Sequence, residues 1–306
     1  MELLLKLSIS LSLLALLLWK TDREALFSML TSMNPTLFLA ALFLYLFSQL
    51  LSTYRWQLLL WAEKIWIPFW KLALFYLEGM FFNLFFPTVI GGDLVKGHRI
   101  YHYTEGEEAS LASILIDRLV GLSALLSIAL AALLGSSSRD PTVAWPILGF
   151  AGAFFLGVGG MFSRRIGSLL LPSLRRLPAS RVWEQLGAFY RSLQRYRGHR
   201  TALGKAFGLS LFLQTLYIYT YYLVARALGF SISLGIFFLL VPLVIAISMI
   251  PISIGGLGVR EGAMIYLFGK VGVDPAGALG LSLTVFFLNI LSSLPGGVIF
   301  ALWKAK

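Results

Sequence analysis

What most constrains this chain is a succession of leucine-rich apolar runs, at about 3–19, 36–53, 68–90, 109–134, 142–163, 205–228, 231–250 and 276–302. A helix needs roughly 17–25 such residues to cross a hydrocarbon core ~30 Å thick. The runs are continuous instead of alternating with period two, and a spanning segment has to satisfy its own backbone hydrogen bonds, so helices are expected and a barrel is not. The composition agrees. With 58% hydrophobic and 13% charged residues and a mean hydropathy of +0.83, the chain lacks the polar surface that a soluble fold of 306 residues requires. The pattern predicts an all-α integral membrane protein of about eight transmembrane helices, multi-pass in the inner or plasma membrane of a prokaryote. The first run is followed by "LLLWKTDREALFS", which offers no A-x-A-like cleavage site, and is read as a retained helix. The absence of cysteine excludes disulfides, cysteine-ligated zinc and thiol catalysis.

The net charge of +11 is unevenly spread. Between 164 and 205 nine arginines and Lys205 face a single acid, Glu184, which by the positive-inside rule makes that loop cytoplasmic. Within it Val182, Trp183, Leu186, Phe189, Tyr190, Leu193 and Tyr196 recur at helical spacing behind Ser180, a basic amphipathic helix. Such a helix can hold anionic lipid, but basic loops more often set topology, and an apolar face laid over the bundle is the favoured reading. The loop falls short of the ~50 residues of a domain. The chain is therefore read as one polytopic domain, 1–306.

Two decapeptides interrupt the apolar pattern: "PTVIGGDLVK" from Pro87 and "PISIGGLGVR" from Pro251, which share Pro, Ile, Gly, Gly and Val in register and both end on a cation. They divide the chain into parts of similar length, which suggests repeat halves 1–150 and 151–306. In transporters built from repeats, interrupted segments at corresponding positions mark the substrate site. Pro87 and Pro251 each remove a backbone donor, while Gly91, Gly92, Gly255, Gly256 and Gly258 permit positive φ, so each segment is expected to break its helix or re-enter the membrane and expose amides. A helix restarting near Asp93 or Val259 would aim its N-terminal N–H groups at the break, an anion-binding geometry, with Lys96 and Arg260 one turn inside. Read singly, each segment is as well explained as a surface turn with a snorkelling cation.

The run from Ala109 contains adjacent charges, Asp117 and Arg118. At 1.5 Å per residue Arg118 lies roughly 13 Å deep, where two lipid-facing charges would cost about 5–7 kcal/mol. Both must face the interior. Neighbouring residues point ~100° apart, so each needs another partner: Asp93, Glu261 or a phosphate for Arg118, and Lys96, Arg99 or Arg260 for Asp117. Glu78, Asn83 and Asn289 are further polar residues inside apolar runs. His98 and His102 share an i, i+4 spacing but lack the glutamate of a zinc motif, so no metal or other cofactor is expected. Trp56, Trp61, Trp66 and Trp70 read as an interfacial belt.

Taken together, "FNLFFPTVIGGDLVKGHRIY", "ASILIDRLVGL" and "IPISIGGLGVREGAMIYLF" resemble, in order and over nearly the whole chain, the lysylphosphatidylglycerol synthase transmembrane family of flippase-like membrane proteins. The matching positions are Asn83, Pro87, Gly91, Gly92, Asp93 and Lys96, then Asp117 and Arg118, then Pro251, Gly255, Gly256, Gly258, Arg260 and Glu261. The resemblance implies a polytopic helical domain that, in the bifunctional lipid-aminoacylating members, moves an aminoacylated phospholipid between leaflets. The bifunctional members carry a soluble aminoacyl transferase domain, whereas this sequence ends at Lys306 after its last apolar run, so a stand-alone member without lysyl transfer is expected. The first element ends on Lys96 where the family usually has arginine, which keeps the charge and loses the bidentate fork. The expected function is transport of an anionic or phosphate-containing lipid, a phospholipid or a polyprenyl-linked lipid, with the headgroup held near Lys96, Arg99, Arg118 and Arg260 and the charges balanced by Asp93, Asp117 and Glu261. An accessory subunit working with a glycosyltransferase, or a membrane enzyme of lipid-linked glycan synthesis, is the alternative; no paired-Asp or nucleotide-sugar motif favours catalysis. The expected partner is membrane lipid, with no nucleic acid, and a homo-oligomer is compatible with the sequence.

Overall fold

A computed structural model describes residues 2–84, 91–104, 107–136, 140–163, 189–249 and 253–303. Pro87, Pro251 and most of the basic loop, with Ser180, Val182, Trp183 and Leu186, lie outside the described residues, as does the side chain of His102. Among the described residues all regular structure is helical: α1 Glu2–Lys20, α2 Arg23–Thr31, α3 Pro35–Ala62, α4 Phe69–Asn83, α5 Gly91–Ile100, α6 Glu107–Gly135, α7 Pro141–Phe162, α8 Arg200–Ala227, α9 Leu234–Ser248, α10 Val259–Gly269 and α11 Pro275–Trp303. Five of these, α3, α6, α7, α8 and α11, are long and apolar enough to cross a membrane.

The helix starts follow local chemistry. Asn34 precedes Pro35, and its Oδ1 accepts the Thr36 and Leu37 N–H groups at 3.0 and 3.2 Å. This pairs a side-chain cap with a proline whose missing donor is not needed at the first turn. Asp140 before Pro141 repeats the arrangement at α7. At the end of α8, Gly229 takes φ +88° and the Phe230 N–H returns to the Ala225 carbonyl at 3.0 Å, the left-handed stop that glycine makes inexpensive.

The runs at 68–90 and 231–250 do not fold as single spans. Their described parts are α4 and α9, each of 15 residues, about 22 Å long and too short for the hydrocarbon core. Each is followed by a short helix that begins inside its glycine segment: α5 of 10 residues and α10 of 11. The series α3, α4, α5, α6 has lengths 28, 15, 10 and 29, and the series α8, α9, α10, α11 has 28, 15, 11 and 29. The packing exchanges in the same way: α3 lies against α8, α4 against α11, and α9 against α6. The 15-residue helix of each series thus packs on the last long helix of the other. Helices α1, α2 and α7 stand outside the paired order, with Leu13 of α1 packed against Gly258.

One apolar cluster, with Phe237, Phe268, Tyr221 and Leu125 among its buried members, joins the two series, and a second, around Trp56, Leu60 and Leu72, packs against α5. Trp56 is 1% exposed and donates its indole N–H to Ser113 at 3.3 Å, so it belongs to the core and not to an interfacial belt. Trp66 and Trp70 are exposed as a belt requires. Residues 189–196 are helical, and Leu193 and Tyr196 bury against Leu59, Ile116 and Ala206, which is the covering role expected of the basic loop's apolar face.

Candidate functional site

Helix α5 approaches α4 closely enough to exclude a side chain: a Cβ on Gly92 would overlap the Gly79 carbonyl oxygen and stand 2.7 Å from Asn83 Oδ1. Gly92 is helical, so its use is close approach and not positive φ. In the second segment the freedom is used as expected, with φ +57° at Gly255, +78° at Gly256 and +83° at Gly258. The amides that were expected to face an anion are partly committed within the protein. Gly92 donates its N–H to Asn83 Oδ1 at 2.9 Å, and Gly258 donates to Glu261 Oε2 at 2.6 Å. Helix α10 is therefore capped by its own Glu261, which is fully buried.

Charge in the site comes from side chains. Asp93, in the first turn of α5, takes two cations: the Lys96 ammonium at 2.8 Å from Oδ1, and the Arg118 guanidinium at Oδ2. The Lys96 ammonium also lies over the Tyr76 and Trp56 rings, 4.7 and 5.5 Å from their centroids. Arg118 thus meets one of its three expected partners. Asp117 meets none of Lys96, Arg99 or Arg260. Both its oxygens accept from Arg55, at 2.7 Å from Nε and 2.9 Å from Nη2, and Arg55 also donates to Ser210 at 3.0 Å. The apolar run ends at 53, but α3 continues to Ala62 and carries Arg55 into the bundle. The continuing pattern "RWQLLLW" was the available signal.

Glu78 is fully buried and accepts from Arg99 at 2.7 and 2.9 Å, which brings Arg99 to α4 and not to the cavity described next. Arg260 donates from Nε to Glu261 Oε1 and to Ser282 Oγ, both at 3.1 Å, and its guanidinium carbon sits 4.8 Å from the Phe286 ring centroid.

Two cavities of about 310 Å³ each open between the two helix series. Arg55, Lys96, Asp117 and Arg118 line the first, Arg260 and Asn289 line the second, and Tyr45, Tyr217, Asn83 and Arg118 line both. The two cavities share these walls, and cations line each of them. Lys96, Arg118, Arg260, Asn83 and Asn289, singled out separately in the sequence, are thereby brought together, and Arg99 is not. His98 is exposed on α5, and no cluster of metal-ligating side chains occurs among the described residues.

These features define a multi-pass helical membrane protein whose two series of interrupted helices enclose a charged cavity. Residues 3–296 match the family described as lysylphosphatidylglycerol synthase TM region, and the chain belongs to that family. It is also similar to a UPF0104 membrane protein of Methanothermobacter thermautotrophicus, at 24% identity over 263 residues, covering 79% of this chain and 78% of that protein.

Proposed function

We propose that the protein is a lipid transporter, not an enzyme, and that it moves a phosphate-bearing lipid between leaflets with the headgroup in the cavity between the two helix series. The observation that carries this reading is a cavity walled by Lys96, Arg118 and Arg260 inside a bundle otherwise built of apolar helices. Buried charge in a membrane is expensive and marks a substrate path. The family, a lysylphosphatidylglycerol synthase TM region, supports a role in lipid metabolism or transport. The matching lengths of the two helix series support an internal repeat, with the cargo at its interface. The carboxylates beside the cavity are each held by cations, which leaves a general base without a vacant carboxylate among them.

The test is reconstitution into vesicles carrying fluorescent phospholipids or polyprenyl phosphates on one leaflet. Dithionite-accessible signal should equilibrate faster with the wild type than with Arg118→Gln or Arg260→Gln. Wild-type rates equal to those of protein-free vesicles across the panel would end the transport reading.

A further inference from the structure

The two helix series run in opposite directions. Helix α3 lies antiparallel to α8 along its whole length. At one end the Asn34 N–H donates to the Ala227 carbonyl at 2.8 Å; farther on, the Tyr45 and Tyr217 rings lie 5.9 Å apart and Arg55 donates to Ser210 at 3.0 Å; at the other end Glu63 stands 3.4 Å from His199. The short helices form hairpins that enter from these opposite ends. In the first, α4 and α5 are joined by Gly92 to Asn83 near the tip, by Arg99 to Glu78, and by Lys71 to Tyr103 at the base, so both ends of the hairpin lie at the Glu63 end of α3. In the second, Gly256 lies against Ser248 near the tip, the Phe237 and Phe268 rings are 5.4 Å apart, and Phe230 meets Gly277 at the base, just beyond Ala227. Hairpins too short to span, entering from opposite ends in two like series, define an inverted-topology repeat whose two-fold axis lies in the membrane plane.

The cavities obey the same symmetry. With helix starts aligned, Gly121 and Leu125 of α6 fall on Asn289 and Ser293 of α11, Met80 of α4 falls on Ile245 of α9, and the decapeptides place Lys96 on Arg260. Lys96, Gly121 and Leu125 line the first cavity, their counterparts Arg260, Asn289 and Ser293 line the second, and Met80 and Ile245 line both. Each of these cations is held by a carboxylate of its own hairpin, Lys96 by Asp93 and Arg260 by Glu261. Gln49 of α3 and Gln214 of α8 are equated in the same way and both line the first cavity, which puts the axis between them. From there the first cavity extends along α3 to Arg55, toward the Glu63 end, and the second along α8 to Tyr221, toward the Ala227 end.

We infer that the two cavities are symmetry-related subsites for the phosphate of one lipid, the first filled from the leaflet at the Glu63 end with Lys96 as its cation, the second from the opposite leaflet with Arg260. This rests on the transport reading and deepens it by dividing the headgroup path into two stations. An in-plane axis exchanges the two membrane faces, so lipid arriving from either leaflet meets an equivalent surface. The walls of the second cavity are mostly apolar, with Met80, Ile245, Leu257 and Phe286 among them. One cation set among apolar side chains suits the phosphate and glycerol-ester region of an amphiphile. A hydrated inorganic anion would surrender its water there without replacement.

The chain has no cysteine, so introduced thiols report sidedness directly. Tyr103→Cys at the base of the first hairpin and Val271→Cys at the base of the second, both exposed positions, are offered an impermeant maleimide in proteoliposomes of uniform orientation. They should label from opposite faces; labelling from the same face overturns the inverted repeat and the inference with it. The subsites are read on the full chain in detergent, with a phospholipid carrying a diazirine on its headgroup. Photoproducts should be recovered both in α6 around Gly121 and Leu125 and in α11 around Asn289 and Ser293. Lys96→Met should cut the α6 product about tenfold and spare the α11 product, and Arg260→Met the reverse. Arg260→Lys, which leaves Glu261 paired and so protects the fold, should lower the α11 product alone, because an ammonium lacks the guanidinium fork. Products confined to one helix, or a fall in both products with Arg260→Lys, overturn the inference. Excess inorganic phosphate should leave both products in place; their loss would show free-anion sites instead. Two products without scrambling in vesicles would sink the transport reading alone, and scrambling with one product this inference alone.

Discussion

The Arg55 and Asp117 pair gives a quantitative prediction. Its side chains are 8% and 6% exposed, two hydrogen bonds of 2.7 and 2.9 Å join them, and the Ser210 bond at 3.0 Å makes the pair a tie between α3, α6 and α8. An unpartnered charge left at such a depth costs about 3–5 kcal/mol, while replacing both members by apolar groups of similar volume is often neutral or better. Arg55→Met and Asp117→Leu should each lower stability by that amount, and the double variant should recover most of the loss. The coupling, the double effect minus the sum of the singles, should therefore be large and favourable. Titration of the purified protein with SDS from mixed micelles gives the midpoints, read by tryptophan fluorescence. Single effects below about 1 kcal/mol, or a double variant that loses the sum of both, would refute the claim that the pair is buried and mutually dependent. Raising salt should leave the coupling nearly unchanged, because a buried pair is little screened.

Gly92→Ala should destabilise by about 3 kcal/mol or more, since the new methyl meets the Gly79 carbonyl, a backbone atom that cannot swing aside. Gly208→Ala in α8, whose added methyl has nothing within 4 Å, should be neutral or slightly stabilising, and the same SDS titration separates the two. Asp140 is held below the ordinary carboxylate range by hydrogen bonds from the Thr142 hydroxyl and N–H, then by the Lys270 ammonium. A depressed folded pKa contributes stability above the unfolded value and loses it as pH falls through the folded one. The midpoint gap between wild type and Asp140→Asn should therefore be present at neutral pH and shrink in acid; a gap independent of pH would count against the cap.

What could be read from the sequence followed from energies local to the chain. Leucine runs placed α3, α6, α7, α8 and α11, because length and apolarity alone decide whether a helix can lie in hydrocarbon. Asp117 and Arg118 were legible as inward-facing because the alternative is so costly. Their partners were not, since one residue-by-residue cost argument fits several cations equally well and only packing chooses among them. Arg55 won Asp117 through the contact of α3 with α6, which no spacing in the sequence encodes. Trp56 misled for a related reason: tryptophan near the end of an apolar run usually marks the interface, but α3 runs on past it and turns its indole toward Ser113. The second glycine segment was legible as a break, whereas Gly91 and Gly92 lie inside α5, and the closure of the Gly92 and Gly258 amides by Asn83 and Glu261 depended on how each short helix folds back.

The two helix series match in order and length but differ in charge. In the second series Arg260 and the adjacent Glu261 neutralise each other within α10, with Ser282 of α11 completing the set. In the first series the corresponding segment ends on Lys96, and its acid, Asp93, is shared with Arg118 from the next helix. Lys96 brings a compact ammonium that a single carboxylate oxygen and two aromatic faces can hold, where an arginine would demand a planar partner of its own. Asp93 can therefore serve Arg118 at the same time. The first series thus shares one carboxylate between cations of two helices, while the second keeps its Arg260 and Glu261 ion pair within one helix and places the buried Asn289 beside it. Two helix series alike in order and length thus hold their cations differently, by a carboxylate shared between helices in one and by a neighbour on the same helix in the other.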